Sequence, residues 1–307
     1  MKSGGKGGKA GIWNLTVILL LAIALSLCIA AFKRNFVWKD GLTLWKDVVK
    51  KNPDEARGHN NLGFMYNMAD RMGEAIEKYQ KAIRLKGDYA DAYNNLGNAY
   101  YKLGRMGDAI EEYQKAIKIE PAYADAYYNL GIVYEKLGRT GDAIEKYQQA
   151  IRLKDDYADT YNNLGIAYEK LDRIDEAIEE YQKALRFDPD NAFVYNNLGI
   201  AYGKLGRMDE AIEKYQKAIR LKGDYDDAYN NLGNAYAKLG RVDEAIEEYL
   251  KTIRLNPGYS LAYYNLGLAY EKSGLKEEAL KKYEEALRIR PDFIEARYAL
   301  DRLRGKP

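Results

Sequence analysis

The sequence is nearly empty of the residues that usually carry chemistry. One cysteine, Cys28, and one histidine, His59, occur in all 307 residues. A single cysteine excludes a disulfide framework within the chain. A single histidine with no second ligand type beside it reads as a packed or surface side chain, not as a metal ligand or a base. There is no Walker loop, no zinc-type spacing and no serine–histidine–aspartate set. Charge of one sign is lacking too. The formal net charge is +2 and the signs are interspersed, which excludes a nucleic-acid stripe. Glu77–Lys81, Glu111–Lys115, Glu179–Lys183, Glu213–Lys217 and Glu247–Lys251 all have the favourable order and spacing of solvated helix faces. No cofactor, metal or catalytic constellation is implied. The expectation is a non-enzymatic interaction protein whose partners are proteins or peptides.

What is present is repetition. "NNLG" or "YNLG" recurs with its leucine at Leu62, Leu96, Leu130, Leu164, Leu198, Leu232 and Leu266, each step being 34 residues. Tyrosine follows four residues later, from Tyr66 to Tyr270, and alanine nine further on, from Ala75 to Ala279. A second tyrosine series runs from Tyr79 to Tyr283, and the unit often closes with proline, at Pro121, Pro189, Pro257 and Pro291. The glycine after each leucine and the small alanines allow close helix approach. "KLGR" breaks the helix and the proline slot turns it again. Each unit is therefore a helix, a short turn and a second helix, which buries its apolar stripe only when stacked on neighbours. A longer period of two units is visible in the alternation of "EKY" and "EEY".

This pattern resembles the tetratricopeptide repeat over residues 56–293, seven full units. The position usually held by tryptophan is His59 and then a tyrosine series ending at Tyr263. The resemblance implies an all-α fold, a right-handed α-solenoid of helix-turn-helix units, whose first helices line a concave side. An asparagine precedes each leucine: Asn61, Asn95, Asn129, Asn163, Asn197, Asn231 and Asn265. Beside it stand Asn60, Asn94, Asn162, Asn196 and Asn230, with Tyr128 and Tyr264 in the two remaining units. A side-chain amide both donates and accepts, so such a row suits the backbone of an extended peptide. It is similar to the asparagine ladder in the repeat domain of the O-linked N-acetylglucosamine transferase family. The same asparagines also suit unit-to-unit packing, and the two roles are compatible. Asp91, Asp125, Asp159 and Asp227 stand near helix starts, where they complement the helix dipole. The chain does not resemble the family members that capture a terminal carboxylate with a basic clamp.

The N-terminus is of another kind. Residues 1–11 are glycine-rich and basic, and residues 12–32 are uncharged and mostly apolar. As a helix that stretch would be about 32 Å long, matching a hydrocarbon core of about 30 Å. A single-pass anchor and a cleaved signal segment both fit. Residues 33–63 resemble the segment that joins the last span to the repeats in multi-span, repeat-bearing mannosyltransferase-like membrane proteins, whose catalytic spans are absent here. That resemblance implies repeats on the extracytoplasmic side, periplasmic or at the cell surface, and secretion if the segment is cleaved.

Residues 33–55 form a linker with half a unit. Residues 37–51 read as a second helix without its first, with Gly41 in the alanine slot and Trp45 in the tyrosine slot. Residues 294–307 form a capping segment, within a stretch Asp292–Arg304 that reads as a first helix without its second. The two halves suit head-to-tail self-association through Trp38, Leu42, Trp45 and Val49 of one molecule and Tyr298, Leu300 and Leu303 of the next. Three readings of function follow: a membrane-anchored scaffold for extended peptides or proteins, a self-assembling filament, and a non-catalytic subunit of an envelope glycosylation or assembly complex.

Overall fold

A computed structural model describes residues 40–305, together with Ser26. The apolar span 12–32, apart from Ser26, and Trp38 lie outside the described residues. Those that are described form sixteen α-helices and no strand. They are α1 (Gly41–Lys51), α2 (Ala56–Met68), α3 (Met72–Leu85), α4 (Ala90–Lys102), α5 (Met106–Ile119), α6 (Ala124–Lys136), α7 (Thr140–Leu153) and α8 (Ala158–Lys170), followed by α9 (Ile174–Phe187), α10 (Ala192–Lys204), α11 (Met208–Leu221), α12 (Asp226–Lys238), α13 (Val242–Leu255), α14 (Ser260–Lys272), α15 (Lys276–Ile289) and α16 (Ile294–Leu303). Among the described residues no helix is long and apolar enough to cross a membrane. Two compact units divide within α6, one ending at Ala126 and the other beginning at Tyr127.

In both units the helices pair as hairpins and each hairpin packs on the next. The repeat motif explains the pairing. The glycine after each leucine makes room for the ring of the second tyrosine. A Cβ at Gly97 would lie 2.6 Å from Tyr113 Cε1, and one at Gly165 would lie 2.6 Å from Tyr181 Cε1. The space that glycine leaves is thus filled by an aromatic ring of the same hairpin. Tyr79, Tyr113, Tyr181 and Tyr283 are fully buried, as is the alanine series that begins at Ala75.

"KLGR" also has a geometry. Gly104 and its equivalents stand at a φ of +72 to +77°, the left-handed conformation that ends a helix. The arginine that follows lays its guanidinium over the tyrosine of the helix just ended, Arg105 over Tyr100 at 4.3 Å and Arg241 over Tyr236 at 4.3 Å. It also pairs with an acidic residue in the first turn of the next helix, Arg105 Nε donating to Asp108 at 2.6 Å and Arg139 Nε to Asp142 at 2.7 Å. One residue therefore ties the two helices of a hairpin across their turn.

The two end helices are shorter than the sequence suggests. α1 begins at Gly41, because the Asp40 carboxylate caps it by accepting from Leu42 N at 3.1 Å. It packs against α2 and buries no residue completely. α16 begins at Ile294, since Asp292 and Phe293 belong to the preceding turn. Its Ala299 and Leu300 are buried against Ala279 and Tyr283 of α15, with Leu303 packed at the edge.

Candidate binding site

The paired asparagines lie at the middle of each first helix, one turn before the glycine–tyrosine contact. Their side chains join successive repeats. In the first unit Asn95 Nδ2 donates to Asn60 Oδ1 at 3.0 Å. In the second unit Asn197 donates to Asn162 at 3.1 Å, Asn231 to Asn196 at 3.0 Å and Asn265 to Asn230 at 3.1 Å. Where tyrosine replaces the first asparagine, the bond persists: Asn163 Nδ2 donates to Tyr128 Oη at 3.2 Å. The first asparagine of a pair is thus an acceptor for the next repeat. Asn60, Asn94, Asn196 and Asn230 are buried and Asn162 is half-buried, so these five do not present open amides. The second series, from Asn61 through Asn129 to Asn265, is half-buried throughout. The amide nitrogens of Asn95, Asn163, Asn197, Asn231 and Asn265 bind the preceding repeat, while among the described residues no bond engages the Oδ1 of Asn231 or Asn265.

Those two residues line a cleft of about 490 Å3 in the second unit. It is lined by the first helices α10, α12 and α14 and by the second helices α11 and α13, with Ile200, Met208, Val242 and Leu268 as its apolar side chains. Asn234 contributes a further amide, accepting from Tyr249 Oη at 2.8 Å and from Asn265 Nδ2 at 3.1 Å. Lys204, Lys238 and Lys272, the last residues of the three first helices, project into the same cleft. No carboxylate lines it. These lysines were not singled out from the sequence. The available signal was a lysine at the same register in each repeat from Lys102 to Lys272.

His59 is buried at 5% exposure, and its Nε2 donates to the Pro53 carbonyl at 2.8 Å. Among the described residues no group of three or more histidine, cysteine, aspartate or glutamate side chains is placed to hold a metal. Of the residues suited to self-association, Leu42, Trp45 and Val49 are half-buried on α1. Leu300 and Leu303 are engaged with α15, whereas Tyr298 is 71% exposed.

Comparison with known proteins adds the family. A model described as TPR repeat matches residues 71–104, 97–138, 136–172 and 233–274. Models described as tetratricopeptide repeat match residues 156–224, 214–247 and 260–293. No curated protein matches the sequence. Among solved structures, a chain of the APC/C hetero-tetramer Cut9–Hcn1 is similar at 20% identity with a TM-score of 0.65, over 87% of this chain and 53% of that one. This chain thus spans about half the length of that relative. YrrB, described as a TPR protein with an unusual peptide-binding site, is similar at 28% identity with a TM-score of 0.51, over 62% of this chain and 98% of that one. PilF of Pseudomonas aeruginosa shares 22% identity with a TM-score of 0.60, over 68% of this chain and 95% of that one. The repeat models run without a gap from residue 71 to residue 293, and the chain belongs to the tetratricopeptide-repeat proteins.

Proposed function

We propose that this protein is a non-catalytic scaffold that holds an extended segment of a protein partner along its first helices, with the cleft of α10, α12 and α14 as the principal seat. The observation that carries this reading is the polarity of the asparagine ladder. The nitrogens of Asn231 and Asn265 point to the preceding repeat, at 3.0 and 3.1 Å, and their oxygens remain to accept backbone N–H groups of a bound strand. Backbone capture of this kind tolerates many sequences, while the apolar lining takes side chains. The likeness to YrrB, whose description includes a peptide-binding site, supports the same use.

The test is a calorimetric titration with an uncharged decapeptide of alternating glutamine and glycine, acetylated at its N-terminus and amidated at its C-terminus. Wild-type chain is expected to bind it. Asn231→Ala with Asn265→Ala should weaken binding, each lost bond removing about 0.5–1.5 kcal/mol. The same change deletes two links between repeats, so helix content is measured in parallel. Unchanged affinity in a folded variant would remove the ladder from the binding face.

We also propose that residues 12–32 anchor the protein with its repeats outside the cytoplasm, where a scaffold would serve an envelope assembly or glycosylation complex. The length and apolar character of that stretch support an anchor. Protease added to intact spheroplasts should digest the repeats, and digestion only after lysis would reverse the orientation. Head-to-tail self-association has less support, because Leu300 and Leu303 are already packed within the chain.

A further inference from the structure

Glutamates accompany the column of lysines in three repeats, and Asn67, Tyr101, Gly203 and Ala237 hold their position in the other four. Each glutamate lies one residue before a lysine and pairs with the lysine of the next repeat. Glu135 pairs with Lys170, and Glu169 with Lys204 at 2.9 Å. At the end of the array Glu271 pairs with Arg302 at 2.6 Å. The same position is Gly203 in α10 and Ala237 in α12. Lys238 and Lys272, which would pair with those positions, consequently form no ion pair among the described residues. A lysine at a helix C-terminus complements the dipole in every repeat, so the lysines alone mark nothing. What differs at the cleft is that Gly203 and Ala237 offer no polar side-chain atom, whereas Asn67 Oδ1 accepts from Lys102 at 2.8 Å.

Gly203 also leaves the Tyr215 hydroxyl, at the cleft, without the side-chain acceptor its counterparts have. Its counterparts in the second unit are satisfied: Tyr181 Oη donates to Glu169 at 3.0 Å, Tyr249 Oη to Asn234 at 2.8 Å, and Tyr283 Oη to Glu271 at 2.9 Å. For Tyr215 the two corresponding positions are Ile200 and Gly203, and neither has a side-chain acceptor. Tyr215 is 5% exposed, lines the cleft and makes no hydrogen bond among the described residues. A Cβ at Gly203 would stand 3.7 Å from its hydroxyl, so the glycine opens the space directly in front of it. Burial pushes the Tyr215 hydroxyl up, as does the charge of Glu169, which keeps it a donor at neutral pH. Glu169 itself is held by Lys204 and Tyr181.

Two donors, the Tyr215 hydroxyl and the Lys238 ammonium, therefore flank the place that Glu169 fills one repeat earlier, and Lys272 stands one repeat on in the same cleft. We infer that an acidic side chain of the bound segment enters this void, its carboxylate taking the place of the missing glutamate between Tyr215 and Lys238, with Lys272 adding positive charge to the same cleft. This rests on the reading of the cleft as a seat for an extended segment and specifies its chemistry: a partner with an internal aspartate or glutamate, recognised through the side chain and not the chain terminus.

The experiment compares the amidated glutamine–glycine decapeptide with its glutamate–glycine counterpart, both titrated against the full chain. The glutamate peptide should bind about tenfold tighter, as expected for hydrogen bonds to a charged group, and that advantage should shrink as salt is raised. Gly203→Glu restores the residue found at Glu169, so the fold is retained. It should abolish the preference while leaving the affinity for the glutamine peptide unchanged. Tyr215→Phe should reduce the preference without removing the ring from the core. Equal binding of both peptides by the wild-type chain, or a preference that survives Gly203→Glu, overturns the inference alone. If neither peptide binds, the seat for an extended segment falls with it.

Discussion

Thr160 is fully buried in a slot that alanine fills at Ala92, Ala126, Ala228, Ala262 and Ala296. Its hydroxyl has no hydrogen-bond partner. Burying such a group without a partner costs about 1–3 kcal/mol, and alanine is also the better helix former. Thr160→Ala should therefore stabilise the second unit by about 1 kcal/mol, read as a higher urea midpoint with an unchanged slope. A lower midpoint would mean that the methyl group matters more than the stranded hydroxyl. Thr252, buried in the alanine slot of another series, behaves differently, since its Oγ1 donates to the Glu248 carbonyl at 3.1 Å. At this scale the sequence was informative about which slots are small, because each slot recurs every repeat. Which hydroxyl finds a partner was not legible, since that depends on a carbonyl within reach.

The hairpin is the element that the motif encodes. Gly165 faces the Tyr181 ring so closely that an added methyl group would lie 2.6 Å from it. Tyr181 is also held by its bond to Glu169, which limits its freedom to move aside. Gly165→Ala should cost about 1–2 kcal/mol, as an overpacking penalty of about 1–3 kcal/mol outweighs the propensity gain of about 1 kcal/mol. Thermal melts of the variant decide this, and a stabilised variant would show that the ring yields freely. Close approach at the glycine was legible from "NNLG", but its partner was not. The contact joins Gly165 to Tyr181, sixteen residues apart in number, on the two helices of one hairpin. The arginine of "KLGR" was likewise legible only as part of a breaker. Its stacking on a tyrosine and its acidic partner require the turn to be folded.

For the molecule as a whole, the 34-residue step was sufficient to reveal the helix pairs, while the helix ends depend on local caps such as Asp40. The candidate site was legible only in part. The asparagines stood out because they recur, yet their division into buried acceptors and half-buried donors comes from bonds between residues 35 apart. The void at Gly203 was hidden for the opposite reason. It is the absence of a side chain, and that absence becomes visible only once Glu169 and Lys204 are seen to pair across repeats.

The most direct measurement of the central claim, that a partner segment lies along the first helices, is site-specific photocrosslinking. Leu268 in the cleft and Leu250 on the second helix α13 are equally open to solvent, at 38% and 39% exposure. Each is replaced in turn by a photoreactive phenylalanine analogue in the full chain. The glutamate–glycine decapeptide is then added at saturation and the sample irradiated. The peptide should crosslink at position 268 and not at position 250. Crosslinking at 250 with none at 268 would put the partner on the second helices and contradict the account.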